Sequence, residues 1–265
     1  MSIKTSKLIL ALRDEYRDMY NSLQVNAEKL NEVNGIINKI ITNRSRYEHV
    51  AALLNIPWYF IAVIHQMEAS GNFNAHLHNG DPLTDRTVQV PRGYPKTGTP
   101  PFTWEESALD ALIYEGYKDV TCWSLTAILY RFEKYNGFGY RNRTNINSPY
   151  LWSYSQHYVK GKFVGDGVFD PNPVSKQPGA AVILKQLIQK LSPEIKLEEE
   201  PEFTKPELWQ VKCDPAVVNV TAAKLQLLLN KFGFRLNPDG QAGQITSSAV
   251  FDFTGKFLPG DSRAV

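Results

Sequence analysis

Trp58-Tyr-Phe-Ile-Ala-Val-Ile-His-Gln-Met-Glu-Ala-Ser-Gly-Asn-Phe73 is the stretch on which the fold turns. Asn55 as an N-cap residue and Pro57 in the first turn predict a helix that ends near Gly71. Its apolar run from Ile56 to Met67 is broken by His65 and Gln66, well short of the roughly 18 to 20 apolar residues that a membrane helix needs. Ile61 and Ile64 lie seven and four positions before Glu68 and share its face, which puts the carboxyl in partly apolar surroundings. Desolvation disfavours the ionised form and raises a carboxyl pKa towards roughly 6, where it can serve as a general acid near neutral pH. The competing reading is a helix-end glutamate paired with a surface cation.

Working outward, Leu30, Val33, Ile37 and Ile40 form one face of an amphipathic helix over Ala27 to Ile41, and a further helical run follows Asn43. Thr103 with Glu106 three residues later reads as a capping box for a helix carrying Leu109 and Leu112. Leu125, Ile128, Leu129 and Phe132 repeat helically within Thr121 to Tyr135, with Asn136-Gly137 as the stop. Tyr150 to Val159 and Gly179 to Leu191 are read as the remaining helices of this part. Asn72 to Phe102, rich in proline and glycine, is expected to be a β-hairpin or an ordered loop over a cleft. Ser192 to Glu207, with glutamates at 198 to 200, reads as a solvated linker. Beyond it, Thr221 and Thr246 are expected to cap two helices around a tight loop at Asp239-Gly240 and Gly243. The predicted organisation is a large domain over 1–192, its first 42 residues a helical extension, a linker over 193–210 and a small helical module over 211–265.

The chain has 265 residues and a mass of 30.0 kDa, with hydrophobic residues at 43% and charged residues at 21%, which suits a globular fold and excludes wholesale disorder. Lys+Arg 29 against Asp+Glu 27 leaves a net charge of +2, too small for the footprint of a dedicated nucleic-acid binder. Met1 to Tyr16 carries no small-residue cleavage site and does not read as a signal peptide. Cys122 and Cys213 lie in different predicted domains and are expected to be free thiols. His76-x-His78 lacks a His-Glu-x-x-His or cysteine-cluster context, so neither metal nor other cofactor is expected. A Gly-x-Ser-x-Gly elbow is absent from the sequence, and Gly137-Phe-Gly lacks the strand that a phosphate loop requires.

Glycoside hydrolysis pairs a carboxylic acid, which protonates the leaving oxygen, with a second carboxylate that activates water or stabilises positive charge. Asp81 and Asp85 follow Glu68 within Asn79-Gly-Asp-Pro-Leu-Thr-Asp-Arg-Thr87. Asp81 is equally suited to a turn, and Arg86 to neutralising Asp85. Tyr150, Trp152 and Tyr154 offer flat faces for sugar stacking, although aromatic residues at helical spacing also build cores. His76 and His78 are read as loop-shaping residues or substrate contacts at the cleft edge.

Glu68-Ala-Ser-Gly-Asn-Phe73 resembles the Glu-Ser-Gly-x-Phe signature of the lysozyme-like superfamily, which includes goose-type lysozymes and lytic transglycosylases. His76-Leu-His-Asn-Gly-Asp-Pro-Leu-Thr84, Arg86-Thr-Val, Tyr135-Asn-Gly-Phe-Gly-Tyr140, Ser148-Pro-Tyr-Leu-Trp152 and Gly161-Lys look like a bacterial and phage branch of the same cell-wall hydrolases. The resemblance implies a mainly α, lysozyme-like helical domain with a small β-hairpin or loop region beside the cleft. It implies cleavage of the β-1,4 glycan of peptidoglycan with Glu68 as catalytic acid. Goose-type relatives vary or lack the second carboxylate and lytic transglycosylases use the single glutamate, while Asp81 is the partner expected from the loop. Tyr135 and Asn136 are carried over as substrate contacts, joined by His78, Thr84, Asp85, Tyr150 and Trp152. Ala69 departs from the family, which usually has serine there. In Lys224-Leu-Gln-Leu-Leu-Leu-Asn230, Asp239-Gly-Gln-Ala-Gly243 and Phe253 the tail resembles part of a three-helix peptidoglycan-binding module. The expected partner is the peptidoglycan glycan strand, without nucleic acid or stable membrane insertion, and the expected state is a monomer. The expected place of action is the cell wall, periplasmic or extracellular, by an export route that the sequence does not reveal. Lytic transglycosylase or chitinase-like activity, or wall binding without catalysis, are the alternatives.

Overall fold

The computed structural model describes residues 3–5, 7–165, 167–200 and 210–264. It is mainly helical with one small antiparallel sheet. The helices of the larger part are α1 (Leu10–Ser22), α2 (Leu30–Thr42), α3 (Arg44–Leu54), α4 (Trp58–Ala69), α5 (Trp104–Tyr114), α6 (Leu125–Asn136), α7 (Gly139–Arg143), α8 (Pro149–Trp152) and α9 (Ala180–Lys190). Two more, α10 (Val220–Lys231) and α11 (Gln244–Thr254), follow.

α4 is the central element, because every residue from Tyr59 to His65 is buried. A helix apolar on all sides is stable only when neighbours cover all of them. α3 and α9 pack against α4, α2 packs against α9, and Phe60 stacks on Phe132 of α6 at 5.1 Å. Val33, Ile37 and Ile40 of α2 are buried as their spacing requires, while Leu30 is exposed. α5 begins with the capping box, in which Glu106 N–H donates to Thr103 Oγ1 at 3.2 Å and Thr103 N–H to Glu106 Oε2 at 2.8 Å.

Within the expected N-terminal extension, Leu12, Tyr16 and Tyr20 of α1 are buried in the main core together with Val33, Ile37 and Ile40 of α2. Sequence reading passed over α1, whose buried stripe includes Arg13. The Tyr16 hydroxyl donates to buried Glu133, and Arg141 donates to Glu133 at 2.8 Å and to Glu15 at 2.6 Å. This network ties α1, α6 and α7 together, and each buried charge in it has an opposite charge to face.

Other expectations need correction. The helix expected over Tyr150 to Val159 is only the single turn of α8, because Ser153 leaves the helical region at ψ 146° and Tyr154 follows at φ 68°. The turn lets α9 start against α8: a Cβ on Gly179 would lie 2.1 Å from the Leu151 carbonyl oxygen. Asn72 to Phe102 is an ordered loop with one isolated bridge, Ala75 to Pro82, and the paired strands lie later, β1 (Lys162–Gly165) against β2 (Val168–Asp170). Asn219, not Thr221, caps α10, and Thr246 lies inside α11, buried with its hydroxyl accepting from Gln226 at 3.2 Å.

The acidic run stays largely exposed, but as far as Glu200 it is anchored at three points. Ile195 joins the main core, and Trp123 N–H donates to Glu198 Oε2 at 2.6 Å. Glu200 accepts from Thr126 N–H at 2.7 Å, from Ser124 Oγ at 3.1 Å and from Arg13 at 3.4 Å. A carboxylate at a helix N-terminus satisfies free N–H groups and meets the positive end of the helix dipole, which outweighs the solvation it gives up. The rest of the expected linker, 201–209, lies outside the described residues. α10 and α11 enclose a separate small core of Leu225, Leu229, Ala249, Val250 and Phe253. No single helix among the described residues is long and apolar enough to cross a membrane.

Replacing Glu200 by alanine leaves Arg13 and the first turn of α6 short of an acceptor, and a loss of about 2 kcal/mol is expected. Urea denaturation of Glu200→Ala checks this, and an unchanged midpoint would show that the docked acid does not hold α6.

Candidate active site

Glu68 occupies the last turn of α4, where the buried helix reaches the surface of the core. The turn after it is fixed by His65. Its Nε2–H donates to the Asn72 carbonyl at 3.1 Å, so Nδ1 accepts from the Tyr47 hydroxyl at 3.0 Å. Burial pushes this imidazole down to about 4, so it is neutral at physiological pH and acts as a rigid brace. Ser70 and Gly71 turn the chain left-handed at φ 51° and 65°, sending it into the loop. The loop folds back on the same helix end, because a Cβ on Gly80 would lie 3.2 Å from the Glu68 carbonyl oxygen.

The Glu68 carboxyl has a pKa of about 7, raised first by desolvation and slightly further by the charge of Glu115, while the Tyr150 hydroxyl pulls it down. The residue keeps some accessible surface, but its carboxyl is packed closely enough by protein for desolvation to dominate. Tyr150 OH donates to Glu68 Oε1 at 2.6 Å. Tyr135 and Tyr117 also feel the Glu68 charge, and their rings stack at 6.5 Å. Tyr135 donates to the Leu77 carbonyl at 3.0 Å, joining the end of α6 to the loop. The resulting site is one acid walled by phenols, with a second carboxyl nearby. That acid is half protonated near neutral pH and can both give and take a proton.

Glu115 and Tyr117 were not anticipated from the sequence. Glu115 follows the last residue of α5 and its own pKa is raised by burial, partly offset by Lys134. Its sequence setting, Tyr-Glu-Gly-Tyr, carries no periodic signal, and only the approach of α5 to α4 through the loop brings it to Glu68.

The expected partner, Asp81, has another task. Its Oδ2 accepts from Val88 N–H at 2.8 Å, Gln89 N–H at 3.0 Å and Asn79 Nδ2 at 3.1 Å. Burial would raise its pKa, but these three donors outweigh burial and hold it below the usual value. The turn reading of Asp81 is therefore the one its contacts support: it pins two limbs of the loop together. No hydrogen bond among the described residues joins it to Glu68.

The remaining expected contacts separate into two groups. Tyr135 and Tyr150 are at Glu68, and Asn136 is exposed at the end of the same helix as Tyr135. Thr84 and Asp85 are exposed on the loop, with Asp85 Oδ1 accepting from Arg86 N–H at 2.7 Å. The Arg86 side chain turns away to the Gly98 carbonyl at 2.8 Å rather than neutralising Asp85. His78 and Trp152 are both buried, which suits their structural readings. The His78 side chain is wholly buried and its Nε2–H donates to Asp110 at 2.9 Å, which anchors the loop on α5. Trp152 is 1% exposed in the main core, edge-on to His157, so helical packing accounts for it and no face is left for a sugar. His76 is likewise a brace, donating from Nε2 to the Asp85 carbonyl at 2.7 Å and accepting from Ser107 at 2.8 Å. Among the described residues no three His, Cys, Asp or Glu side chains are arranged to hold a metal ion.

Glu68 titrates at about 7 when folded against an ordinary 4.5, so the folded state binds more protons between these values and loses stability as pH rises through that window. Glu68→Gln is expected to be more stable than wild type above about pH 7 and to gain no such advantage below about pH 4.5. Tyr150→Phe removes the donor that favours the carboxylate, so the Glu68 pKa should rise further. Urea denaturation of Glu68→Gln and wild type across this pH range measures the first effect and carboxyl-carbon NMR titration the second, and a fall in Tyr150→Phe towards the ordinary value would contradict the assignment of cause.

Comparison of the chain with models of protein families, with curated proteins and with solved structures found no match.

Proposed function

We propose that this protein cleaves the β-1,4 glycan strand of peptidoglycan, with a lysozyme-like larger domain and Glu68 as the general acid. The observation that carries the reading is the Glu68 carboxyl with its pKa at about 7, closed in by Tyr150 and Tyr135 at the end of a buried helix. A glycosidic oxygen leaves only if it is protonated as the bond breaks, and a carboxylic acid still neutral near pH 7 supplies that proton. The resemblance of the loop and tyrosine motifs to cell-wall hydrolases directs the choice of glycan. In this reading the tail is a partial peptidoglycan-binding unit. The protein acts as a monomer outside the cytoplasmic membrane and needs no cofactor.

The commitment of Asp81 to its loop favours a mechanism centred on one carboxyl. Glu68 first gives its proton to the leaving oxygen, then as carboxylate takes one from the incoming nucleophile. That nucleophile is water in a muramidase and the sugar's own hydroxyl in a lytic transglycosylase. Glu115 is the second carboxyl whose charge reaches Glu68, and a like charge there keeps the acid protonated.

Mass spectrometry of fragments from digested sacculi tests the reading, since a hydrolase leaves reducing ends and a transglycosylase leaves 1,6-anhydro ends. Glu68→Gln is expected to lower turnover by at least about a hundredfold with the fold intact. Wild-type protein that pellets with sacculi and releases no fragment would replace catalysis by wall binding. Asp81→Asn should loosen the loop and reduce turnover less than Glu68→Gln; equal losses would restore Asp81 to a direct role.

A further inference from the structure

A cavity of about 680 Å³ opens between the start of α2 and the chain that follows α8, with exposed Val159 and Val174 on its apolar side. Tyr154 forms part of its wall in a left-handed conformation, at φ 68°, that a bulky side chain rarely adopts. Such strain persists only where surrounding contacts hold it, and it concentrates at ligand sites. Here the phenol makes the contacts: its oxygen lies 2.8 Å from Glu32 Oε1 and 2.7 Å from the Lys176 carbonyl oxygen. A hydroxyl has one proton, so it serves one of these acceptors at a time and leaves the other open. Burial, and then the hydrogen bond to Glu32, push the phenol up to about 12, so the proton stays in place. Lys29 completes the group, 4.6 Å from the centre of the Tyr154 ring and 3.6 Å from Glu32 Oε2. A surface ion pair as exposed as Lys29–Glu32 is worth little, so either partner can turn to a ligand. Exposed Glu28 and Lys176 add one charge of each sign.

The cavity lies near Glu68. Tyr154 follows Tyr150, the donor to Glu68, by four residues, a span of at most about 14 Å. On α2, Lys39 donates to the Ser70 carbonyl at 3.1 Å where α4 ends, and Glu32 sits on the same face two turns away, about 10 Å along the axis. An occupant suited to this wall offers a donor to Glu32 or the Lys176 carbonyl, an anion to the lysines and small apolar groups to the valines. A neutral sugar lacks the charges, and a simple anion lacks the donor. We propose that the cavity binds a short peptide branching from the glycan, with its ammonium on Glu32 and its carboxylate on the lysines. The inference rests on the proposed cleavage of peptidoglycan, whose glycan bears such peptides, and gives that substrate a second point of attachment. A branch of three or four extended residues, at about 3.3 Å each, covers the distance, and the volume suits a ligand of that size.

Isothermal titration calorimetry of the full chain with Nα-acetyl-L-Ala-γ-D-Glu-L-Lys-D-Ala, and with the same peptide acetylated at its lysine as well, tests the proposal. Saturable one-to-one binding of the first peptide is expected, and acetylating the lysine should weaken it about tenfold or more, the usual loss for one charge-assisted hydrogen bond. Glu32→Gln should weaken the first peptide to a similar degree and barely affect the second. Lys176→Gln, an exposed change, should weaken both several-fold. Absence of saturable binding overturns the proposal, as does equal binding of the two peptides or an unaltered titration with Lys176→Gln. If Glu32→Gln fails to fold by circular dichroism, Lys176→Gln decides alone. Digestion of intact sacculi and of glycan strands stripped of peptides by an amidase separates this inference from the cleavage itself. A several-fold higher KM on stripped strands is expected. Equal KM values overturn the peptide site alone, whereas peptide binding without fragment release from either substrate upholds that site and overturns the cleavage.

Discussion

Desolvation of one carboxyl at the end of a fully buried helix is the constraint from which the rest of the arrangement follows. α4 is covered on all sides over Tyr59 to His65, and its polar end sits where that cover becomes partial. A glutamate there is neither free in water nor sealed in the core. Its proton affinity is set by competition between desolvation, which is the largest influence, and a single donor from Tyr150. At Asp81 two backbone N–H groups and the Asn79 side chain favour the carboxylate and hold the pKa down, whereas Tyr150 alone does so at the more deeply desolvated Glu68. The two carboxyls lie thirteen residues apart in sequence and shift in opposite directions, for reasons readable in their hydrogen bonds.

Holding such a group costs stability, and the surroundings are correspondingly over-determined. His65, His76 and His78 each fasten the loop to a different neighbour: the Asn72 carbonyl, the Asp85 carbonyl and Asp110. None of the three is free to act as a proton shuttle while it does so. The Glu133–Arg141–Glu15 network plays the corresponding part on the far side, fixing α7 against α1 and α6 before the chain reaches Tyr150.

What was legible in the sequence was local. The Thr103–Glu106 box, the buried face of α2 and the stop at Gly137 depend on neighbours within four residues, and each is present. Glu68 was legible too, because Ile61 and Ile64 on its own helix report its surroundings. Where partners come from distant segments, residue type misled. Glu200 reads as a solvated charge until its partners Thr126 and Arg13 are known, and they are 74 and 187 residues away. Trp152 reads more readily as a core residue than as a sugar platform, and its burial where α8 packs on α9 agrees with the former. Asp81 carried both of its readings in the sequence, and the loop geometry selects the turn.

α6 connects these observations. Its first turn is held by Glu198 and Glu200 from the far end of the larger part, and its last turn presents Tyr135 to Glu68. A helix is stiff over twelve residues, so a load at one end is transmitted to the other as a small tilt rather than absorbed along the way. Arg13 bears on the same first turn, with its guanidinium shared among Thr126, Glu200 and the Phe232 ring of the C-terminal helices. The phenol beside the acid and the docking contacts of the C-terminal helices thus lie on opposite ends of one helix. This follows from shared contacts on one rigid element and requires no change of fold.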